Sequence, residues 1–308
     1  MVSDFLPSVT CRFCKGFMYL RHPDVFHPFK PDHGPFNIHL CSDCGSCQTD
    51  PMPSSESLEA LYGSYRDGLP DLHRTITADD PQTALYEKCI SRIHNLSNRK
   101  AEETFTWIDV GGGGGEFSAL MAAKFPSSRG IAIDLHSQPK LLNNVSTVEW
   151  RQIDINQEMF SANLPQFDVV ASIAVLEHVL CPDKFISNLF RLLRPGGMIY
   201  LMCPNNASLA GRLLGRRWPY FNPGEHLAIP TPSGVINCLQ REWRSFHSND
   251  EHVMIGARPI MLPYTLRYVF RRLGLDRVGK CFPAGWRLPI PSGALEATMT
   301  WKVAEGAR

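Results

Sequence analysis

The stretch Trp-Ile-Asp-Val-Gly-Gly-Gly-Gly-Gly-Glu-Phe, residues 107–117, is followed by the apolar run Gly-Ile-Ala-Ile-Asp, residues 130–134. Apolar residues before glycines, then a helical segment and a second apolar run closed by an acid, predict the first strand, loop, helix and strand of a nucleotide-binding α/β domain. The glycines let the backbone approach a ligand closely, and Asp134 is placed to bind ribose hydroxyls.

The glycine run does not fit a dinucleotide fingerprint, which needs glycines at relative positions one, three and six, with Ala allowed last. Every register of the run puts another residue at the sixth position: Glu116, Phe117 or Ser118. The pattern that fits is acid-x-Gly-x-Gly-x-Gly, formed by Asp109, Gly111, Gly113 and Gly115. It resembles motif one of the class I S-adenosylmethionine-dependent methyltransferases, and the resemblance implies S-adenosylmethionine as cofactor, with Asp109 near its methionine end.

The resemblance continues almost without a break over residues 105–206. Residues 148–155 alternate as a short strand ending in an acid. Residues 167–179 form an apolar run that matches the fourth motif of the family, with Leu-Glu-His at 176–178. The resemblance implies a cofactor site at four strand ends: Asp109, Gly111, Gly113, Gly115, Asp134, Leu135, Asp154, the backbone amide of Ile155, and Ile173.

Five strands that alternate with helices predict a doubly wound, Rossmann-like methyltransferase sheet of α/β class, with the ligand at the carboxyl ends of its strands. Helices are predicted at residues 83–98, 185–193 and 263–273, and a last antiparallel strand at 294–303. The predicted organisation is a zinc ribbon at 1–52, a helical linker or lid at 53–100, a cofactor-binding core at 101–206, and a substrate-lid insert with the C-terminal end of the sheet at 207–308.

Five of the ten cysteines fall within the first 47 residues, which points to a metal rather than to disulfides. Cys11, Cys14, Cys41 and Cys44 form two Cys-x2-Cys knuckles that can close a tetrahedral, structural zinc site. Cys47 is left as a spare thiol. The remaining cysteines are expected to be buried small apolar residues: Cys89, Cys181, Cys203, Cys238 and Cys281.

Charge and hydropathy set further limits. The 31 Lys and Arg residues balance 30 Asp and Glu residues, so no global attraction to nucleic acid or to an anionic membrane is expected. The N-terminus lacks the basic region and apolar core of a secretory signal, and no run approaches 18 apolar residues. We therefore expect a soluble, cytoplasmic protein with no membrane partner, while its oligomeric state stays open.

Methyl transfer from a sulfonium needs a positioned nucleophile, and a base only where the acceptor must lose a proton. His226 is the first candidate base and His178 the second, although His178 is also expected to shape the cofactor loop. Tyr62, Tyr65 and Tyr220 are candidates for lining the acceptor pocket. The basic run at 211–217 is interpreted either as an anion-binding lid or, preferably, as a solvated helix face.

Three functions remain compatible with the sequence. The first is a methyltransferase that acts on O or C of a small molecule, such as a sugar, a polysaccharide precursor or a secondary metabolite. The second is an rRNA or tRNA methyltransferase with a zinc module, against which the balanced charge and the lack of an aromatic-interleaved basic stripe argue. The third is a non-catalytic protein that binds the cofactor and zinc and docks a partner.

Overall fold

The computed structural model describes residues 10–27, 34–54, 57–58, 81–97, 99–100, 102–218, 220–247, 252–265, 276–283 and 286–302. Its strands, in chain order, are β1 (Met18–Val25), β2 (Phe36–Cys41), β3 (Cys47–Asp50), β4 (Thr106–Val110), β5 (Arg129–Asp134), β6 (Val148–Gln152), β7 (Phe167–Ile173), β8 (Leu193–Pro204), β9 (Ala228–Ile229), β10 (His252–Thr265) and β11 (Arg287–Lys302). Its helices are α1 (Pro81–Ser97), α2 (Glu116–Lys124), α3 (Pro182–Arg191), α4 (Leu209–Leu214), α5 (Pro232–Phe246) and α6 (Asp276–Gly279).

The larger sheet has seven strands in the order β10-β11-β8-β7-β4-β5-β6. The five strands from β8 to β6 run parallel, and β11 pairs antiparallel with both β8 and β10. The strand order reverses between β4 and β7, which is where an open α/β sheet forms a crevice for a ligand. The prediction of a doubly wound α/β sheet is confirmed.

Helices cover both faces of this sheet because its central strands are apolar on both sides. On one face, Trp107 and Val169 pack with residues of α1 and α2. On the other face, Ile108 and Val170 pack with residues of α3 and α5. Successive residues of β4 thus enter opposite cores, as the two-residue period of a strand requires.

The smaller sheet joins three N-terminal strands to a short strand that follows β8 in the chain. In this sheet β2 pairs antiparallel with β1 on one side and with β3 on the other. Strand β9 pairs antiparallel with the free edge of β3, where Cys47 lies opposite Ile229 and Gln48 lies opposite Ala228. Hydrogen bonds outside the ladder extend this junction: Thr231 Oγ1 donates to the carbonyl of Cys44 at 2.5 Å, and Asn206 Nδ2 donates to that of Gly45 at 2.8 Å. The N-terminal sheet is therefore completed by a strand from the segment that follows the core.

Several local predictions differ from the structure. Cys89, Cys203 and Cys238 are buried as expected, but Cys181 and Cys281 are exposed. Cys181 lies directly before α3, at a helix terminus on the surface, where no apolar face covers it. The predicted helix at 263–273 is wrong for residues 263–265, which continue β10 because their backbone pairs with β11, and the remainder lies outside the described residues.

Candidate functional site

A cavity of about 630 Å³ lies at the carboxyl ends of the parallel strands. Eight of the nine residues predicted to hold the cofactor line it: Asp109, Gly111, Gly113, Asp134, Leu135, Asp154, Ile155 and Ile173. Gly115 does not line it; it caps α2 with φ +82°, and its backbone N–H donates to the carbonyl of Gly112. The motifs that are separate in sequence converge on one volume, of the size usual for small-molecule sites.

Two glycines of the loop are required for different reasons. Gly111 has φ +85°, and a Cβ there would lie 2.3 Å from Val175 Cγ2, so the glycine loop passes too close to the loop that follows β7 for any side chain. Gly113 has φ +51°, a left-handed conformation, and a Cβ there would meet no atom within 4 Å. The space beside Gly113 is therefore open to a ligand.

Asp134 ends β5 and organises the loop that faces it. Its Oδ2 accepts a hydrogen bond from Gly113 N–H at 2.9 Å, and its Oδ1 accepts one from His136 N–H at 3.0 Å. Each carboxylate oxygen keeps a further lone pair, so the group can still accept hydrogen bonds from two hydroxyls. This is the arrangement that a vicinal diol such as a ribose needs.

Asp109 is buried beneath the glycine loop and lines the cavity. Its Oδ2 accepts a hydrogen bond from Ser118 Oγ at 2.7 Å, whereas Oδ1 is buried with no partner among the described residues. Burial raises the pKa of Asp109 to about 7, and the nearby Asp134 adds to the shift while Ser118 opposes it. A buried carboxylate oxygen that lacks a donor suits a cationic ligand group such as an ammonium. The residues present thus fit S-adenosylmethionine.

Sequence reasoning missed part of the cavity wall. Gln82 and Tyr86 enter it from α1, and Gln82 Nε2 donates to Tyr86 Oη at 2.6 Å. The helix itself was predicted from its spacing, but nothing in that spacing shows which turn faces a cavity formed by distant strands. His136 and Asn156, which directly follow predicted residues at two strand ends, are nearer misses that proximity to the motifs could have suggested.

The two candidate bases lie side by side. The rings of His178 and His226 meet edge to face with centroids 4.7 Å apart. His178 Nδ1 is 3.0 Å from the carbonyl oxygen of Glu225, and His226 Nδ1 is 2.5 Å from that of Tyr220. A carbonyl oxygen can only accept, so the neutral form of each ring carries its proton on Nδ1, and Nε2 is the basic nitrogen.

Burial keeps both imidazoles neutral. It lowers the pKa of His178 well below the ordinary value, with a further contribution from His226, and it also lowers the pKa of His226. His178 lines the large cavity, whereas His226 lies behind it against the ribbon. The pair therefore combines a ring at the cofactor cavity with a second ring that supports it.

Glu177 contacts this region through its backbone and through its carboxyl group, whose Oε1 lies 3.8 Å from Nε2 of His178. Its carbonyl accepts hydrogen bonds from the N–H groups of Leu227 and Ala228, at 2.7 and 3.3 Å. Burial raises the pKa of its carboxyl group to about 8, so the side chain is held in its neutral form at pH 7. The residue joins the loop that follows β7 to the segment that carries His226.

The four ribbon cysteines form a compact cluster. One ligand atom from each of Cys11, Cys14, Cys41 and Cys44 lies within 4.8 Å of all the others. The sulfurs of Cys11 and Cys44 are 3.6 Å apart and those of Cys14 and Cys41 are 3.4 Å apart. A tetrahedral zinc with Zn–S bonds of about 2.3 Å would place its sulfurs about 3.8 Å apart, so the donor set fits a structural zinc ion.

The other candidate residues are distributed as follows. Cys47 is buried in β3 and lies outside the cluster, with its thiol 3.5 Å from Asn206 Oδ1. Tyr220 packs edge to face on Trp218, while Tyr62 and Tyr65 lie outside the described residues. In the basic run, Arg212 is exposed and Arg216 donates to the carbonyl of Pro23 at 3.0 Å, so that arginine ties the run to the ribbon.

The fold and the site define a Rossmann-like protein with a cavity for a small ligand at the carboxyl ends of its parallel strands. The model of the methyltransferase domain family matches residues 82–242, just over half of the chain. The chain belongs to this family.

Relatives with assigned names match parts of the chain. A ubiquinone biosynthesis O-methyltransferase of Pseudomonas paraeruginosa is 35% identical over 121 residues, 37% of this chain and 50% of that protein. Another, of Dechloromonas aromatica, is 35% identical over 105 residues, 32% of this chain and 44% of that protein. The chain therefore spans about half the length of these curated relatives.

Solved structures support the fold. The Burkholderia thailandensis 1,6-didemethyltoxoflavin-N1-methyltransferase, with 1,6-didemethyltoxoflavin and S-adenosylhomocysteine bound, matches with a TM-score of 0.50 at 14% identity. The match covers 88% of this chain and 97% of that one. In the part of the chain that the structure describes, no helix has the length and apolar character needed to cross a membrane.

Proposed function

We propose that this protein transfers a methyl group from S-adenosylmethionine to an oxygen or carbon atom of a small-molecule acceptor. The acceptor classes that we favour are a sugar, a polysaccharide precursor and a secondary metabolite. The observation that carries the proposal is a pair of neutral imidazoles, one of them at the wall of the cofactor cavity, each with Nε2 as its basic nitrogen.

The cavity residues have distinct parts in cofactor binding. Asp134 accepts hydrogen bonds from the ribose hydroxyls, and Asp109 lies toward the methionine ammonium. Asp154 and the backbone amide of Ile155 face the adenine, while Gly111 and Gly113 keep side chains out of the volume between them. Gly115 contributes indirectly, because it sets the start of α2 rather than the cavity wall.

The bound sulfonium supplies an electrophilic methyl group that needs no further activation. The acceptor must lose a proton as it takes the methyl group, with S-adenosylhomocysteine as the other product, and Nε2 of an imidazole would accept that proton. His178 is the ring closer to the cofactor cavity, and we assign it the proton transfer where the acceptor reaches that wall. His226 remains the alternative base and otherwise supports His178.

The zinc ion has no place in the proton transfer. Four thiolates would fill its coordination, so no position is left open for a substrate. Its part is to hold the ribbon against the segment that carries His226.

The first test is isothermal titration of S-adenosylmethionine and S-adenosylhomocysteine, with metal analysis of the same sample. We expect both ligands to bind, with one zinc per chain. Purified protein is then screened for S-adenosylhomocysteine formation against sugars, metabolites and RNA, with His178→Gln and His226→Gln as variants that keep polar side chains.

Each outcome separates one function from another. Turnover with small molecules that falls in the two histidine variants supports the proposal. Turnover with RNA alone supports the RNA methyltransferase, and cofactor binding without turnover on any acceptor supports the docking protein. A folded, zinc-loaded protein that binds neither ligand would contradict all of these assignments.

A further inference from the structure

The turn at residues 220–226 sets the orientation of the two candidate bases, His178 and His226. The carbonyl oxygens of Tyr220 and Glu225 accept the Nδ1 protons of His226 and His178 respectively. The backbone N–H groups of Glu225 and His226 both donate to the carbonyl of Asn222, at 3.2 and 2.8 Å. Any change in this turn therefore changes the direction in which both Nε2 atoms point.

The ribbon holds the turn from outside. Thr49 of β3 donates from its backbone N–H to the carbonyl of Leu227 at 2.9 Å and from Oγ1 to that of His226 at 3.1 Å. Gly224 has φ +94° and lies against the ring of Phe36, where a Cβ would meet Cζ at 2.9 Å. The turn thus lies between the ribbon and the loop that follows β7, and main-chain hydrogen bonds connect its C-terminal end to each.

A buried polar contact reaches the turn from the same side. His27, two residues beyond β1, has a side chain that is 1% exposed, and its Nε2 lies 3.0 Å from Oε1 of Glu225, which is 4% exposed. Removing two polar groups from water is costly, and their placement 3.0 Å apart lets electrostatic attraction between them offset part of that cost. His27 is also close enough to His226 to oppose a positive charge there, an addition to the effect of burial that lowers the pKa of that ring.

The contact between His27 and Glu225 affects the direction of the Glu225 carbonyl group. Glu225 presents its side chain to the ribbon and its carbonyl oxygen to Nδ1 of His178. A residue fixed at its side chain has less freedom to rotate its peptide group, so the acceptor for the Nδ1 proton stays in place. Loss of that acceptor would let the proton of His178 move to Nε2, where it would block proton transfer from a substrate.

We infer that His27 is a positioning residue for the histidine pair: by holding Glu225, it keeps His178 in the tautomer whose Nε2 can accept a proton. The inference rests on the proposed function for its catalytic meaning, but the tautomer itself is a property of the resting protein. It assigns to the ribbon a direct influence on the site through one side chain, separate from the metal.

The test is long-range proton–nitrogen NMR of protein labelled with ¹⁵N at histidine, which distinguishes the Nδ1–H tautomer from the Nε2–H tautomer without any methyl acceptor. His27→Phe keeps a ring of similar shape and removes the contact with Glu225. His27→Gln keeps a side-chain N–H that can reach Glu225. His39→Phe, in β2 of the same ribbon, is the matched control, and a His178→Gln spectrum assigns the His178 signals.

We expect a single Nδ1–H tautomer for His178 in the parent protein, in His27→Gln and in His39→Phe. In His27→Phe, the two ring-nitrogen shifts of His178 should move toward each other as the second tautomer becomes populated. Zinc content and circular dichroism should be unchanged. Where an acceptor is known, kcat should fall at least several-fold in His27→Phe with little change in KM.

The inference is overturned if the His178 shifts in His27→Phe equal those of the parent, or if His27→Gln shifts as far as His27→Phe. It is also overturned if His27→Phe and His27→Gln both lose zinc and circular dichroism signal, because His27 would then hold the fold rather than the tautomer. Failure of the proposed function would show differently, as a normal His178 tautomer in a protein that binds no S-adenosylhomocysteine.

Discussion

Asp134 is the residue on which cofactor affinity should depend most. In Asp134→Ala, both hydroxyl acceptors are lost, and Gly113 N–H and His136 N–H lose their partner. Hydrogen bonds to a charged group contribute about 1.5–3 kcal/mol, so we expect affinity for S-adenosylhomocysteine to fall about 10- to 100-fold. Isothermal titration measures it.

The matched control is Glu149→Ala, which removes an exposed carboxylate from the neighbouring strand β6. Its affinity should equal that of the parent protein. Equal binding by Asp134→Ala and the parent would show that the cofactor does not use the end of β5.

Asp109 predicts a pH dependence of stability in the ligand-free protein. Its folded-state pKa of about 7 lies above the unfolded value of 3.8, so between these values the native state binds more protons than the unfolded state. This group therefore lowers the free energy of unfolding as pH rises from about 4 to 7. Asp109→Asn removes this titrating carboxyl group. The free energy of unfolding of the variant should therefore rise relative to that of the parent as pH increases from about 4 to 7.

Urea unfolding at several pH values between 4 and 8 measures this difference. It should grow up to about pH 7 and then level off. A difference that stays constant with pH would show that Asp109 ionises normally beneath the loop. Ser118→Ala is the companion variant: it removes the hydrogen bond that lowers this pKa, so it should move the window to higher pH.

At the scale of single residues, the sequence indicated the acidic groups of the cavity because each lies at or near the end of a predicted strand. Parallel strands bring their carboxyl ends to one edge, so Asp109, Asp134 and Asp154 had to converge once the strands were recognised. His27 and Glu225 could not be paired this way. Their contact depends on how the ribbon packs on a later turn, and no local pattern encodes that packing.

Among the elements, α5 connects the ribbon to the core through its N-cap residue, Thr231. The Thr231 hydroxyl accepts from Gly234 N–H at 3.1 Å as an N-cap and donates to the carbonyl of Cys44. Thr231→Val keeps the shape and removes both bonds at a buried position, so we expect a loss of about 1–3 kcal/mol in the free energy of unfolding.

Chemical denaturation measures this loss, and Thr231→Ser is the control that keeps the hydroxyl. Serine should recover most of the stability, apart from the small cost of a missing methyl group. The Ser233 hydroxyl also donates to the carbonyl of Cys44, at 3.1 Å, so a valine variant as stable as the parent would mean that this bond suffices there and that Gly234 N–H finds another acceptor.

The elements that sequence reasoning predicted well have a clear local pattern: an apolar run beside a motif for β4 and β7, and helical spacing for α3. The strand β9 was not predicted, since a two-residue strand has no period to detect. The error at residues 263–265 has a related cause: the spacing of Tyr264 and Tyr268 fits a helix, but pairing with β11 decides the backbone.

Across the whole molecule, the metal cluster should control the segment that carries His226. Cys44→Ser removes one of four thiolates, and we expect loss of zinc and faster hydrogen exchange at residues 226–231, which β3 and the Cys44 carbonyl hold. Exchange in β4 and affinity for S-adenosylhomocysteine should change little, because the cofactor cavity is formed by the other sheet.

Cys47→Ser is the matched control, since Cys47 neighbours the cluster without belonging to it. It should retain zinc and normal exchange. Unchanged exchange at 226–231 in zinc-free Cys44→Ser would mean that the ribbon keeps its shape without metal.

The pairing of β3 with β9 also has a consequence for synthesis. Ile229 leaves the ribosome 182 residues after its partner Cys47. At a synthesis rate of about 5–20 residues per second, β9 becomes available to the N-terminal sheet about 10–40 s after β3. All four cysteines have emerged long before, so zinc can be captured while β3 is still an open edge, and the nascent ribbon is exposed to wrong partners until the core follows it.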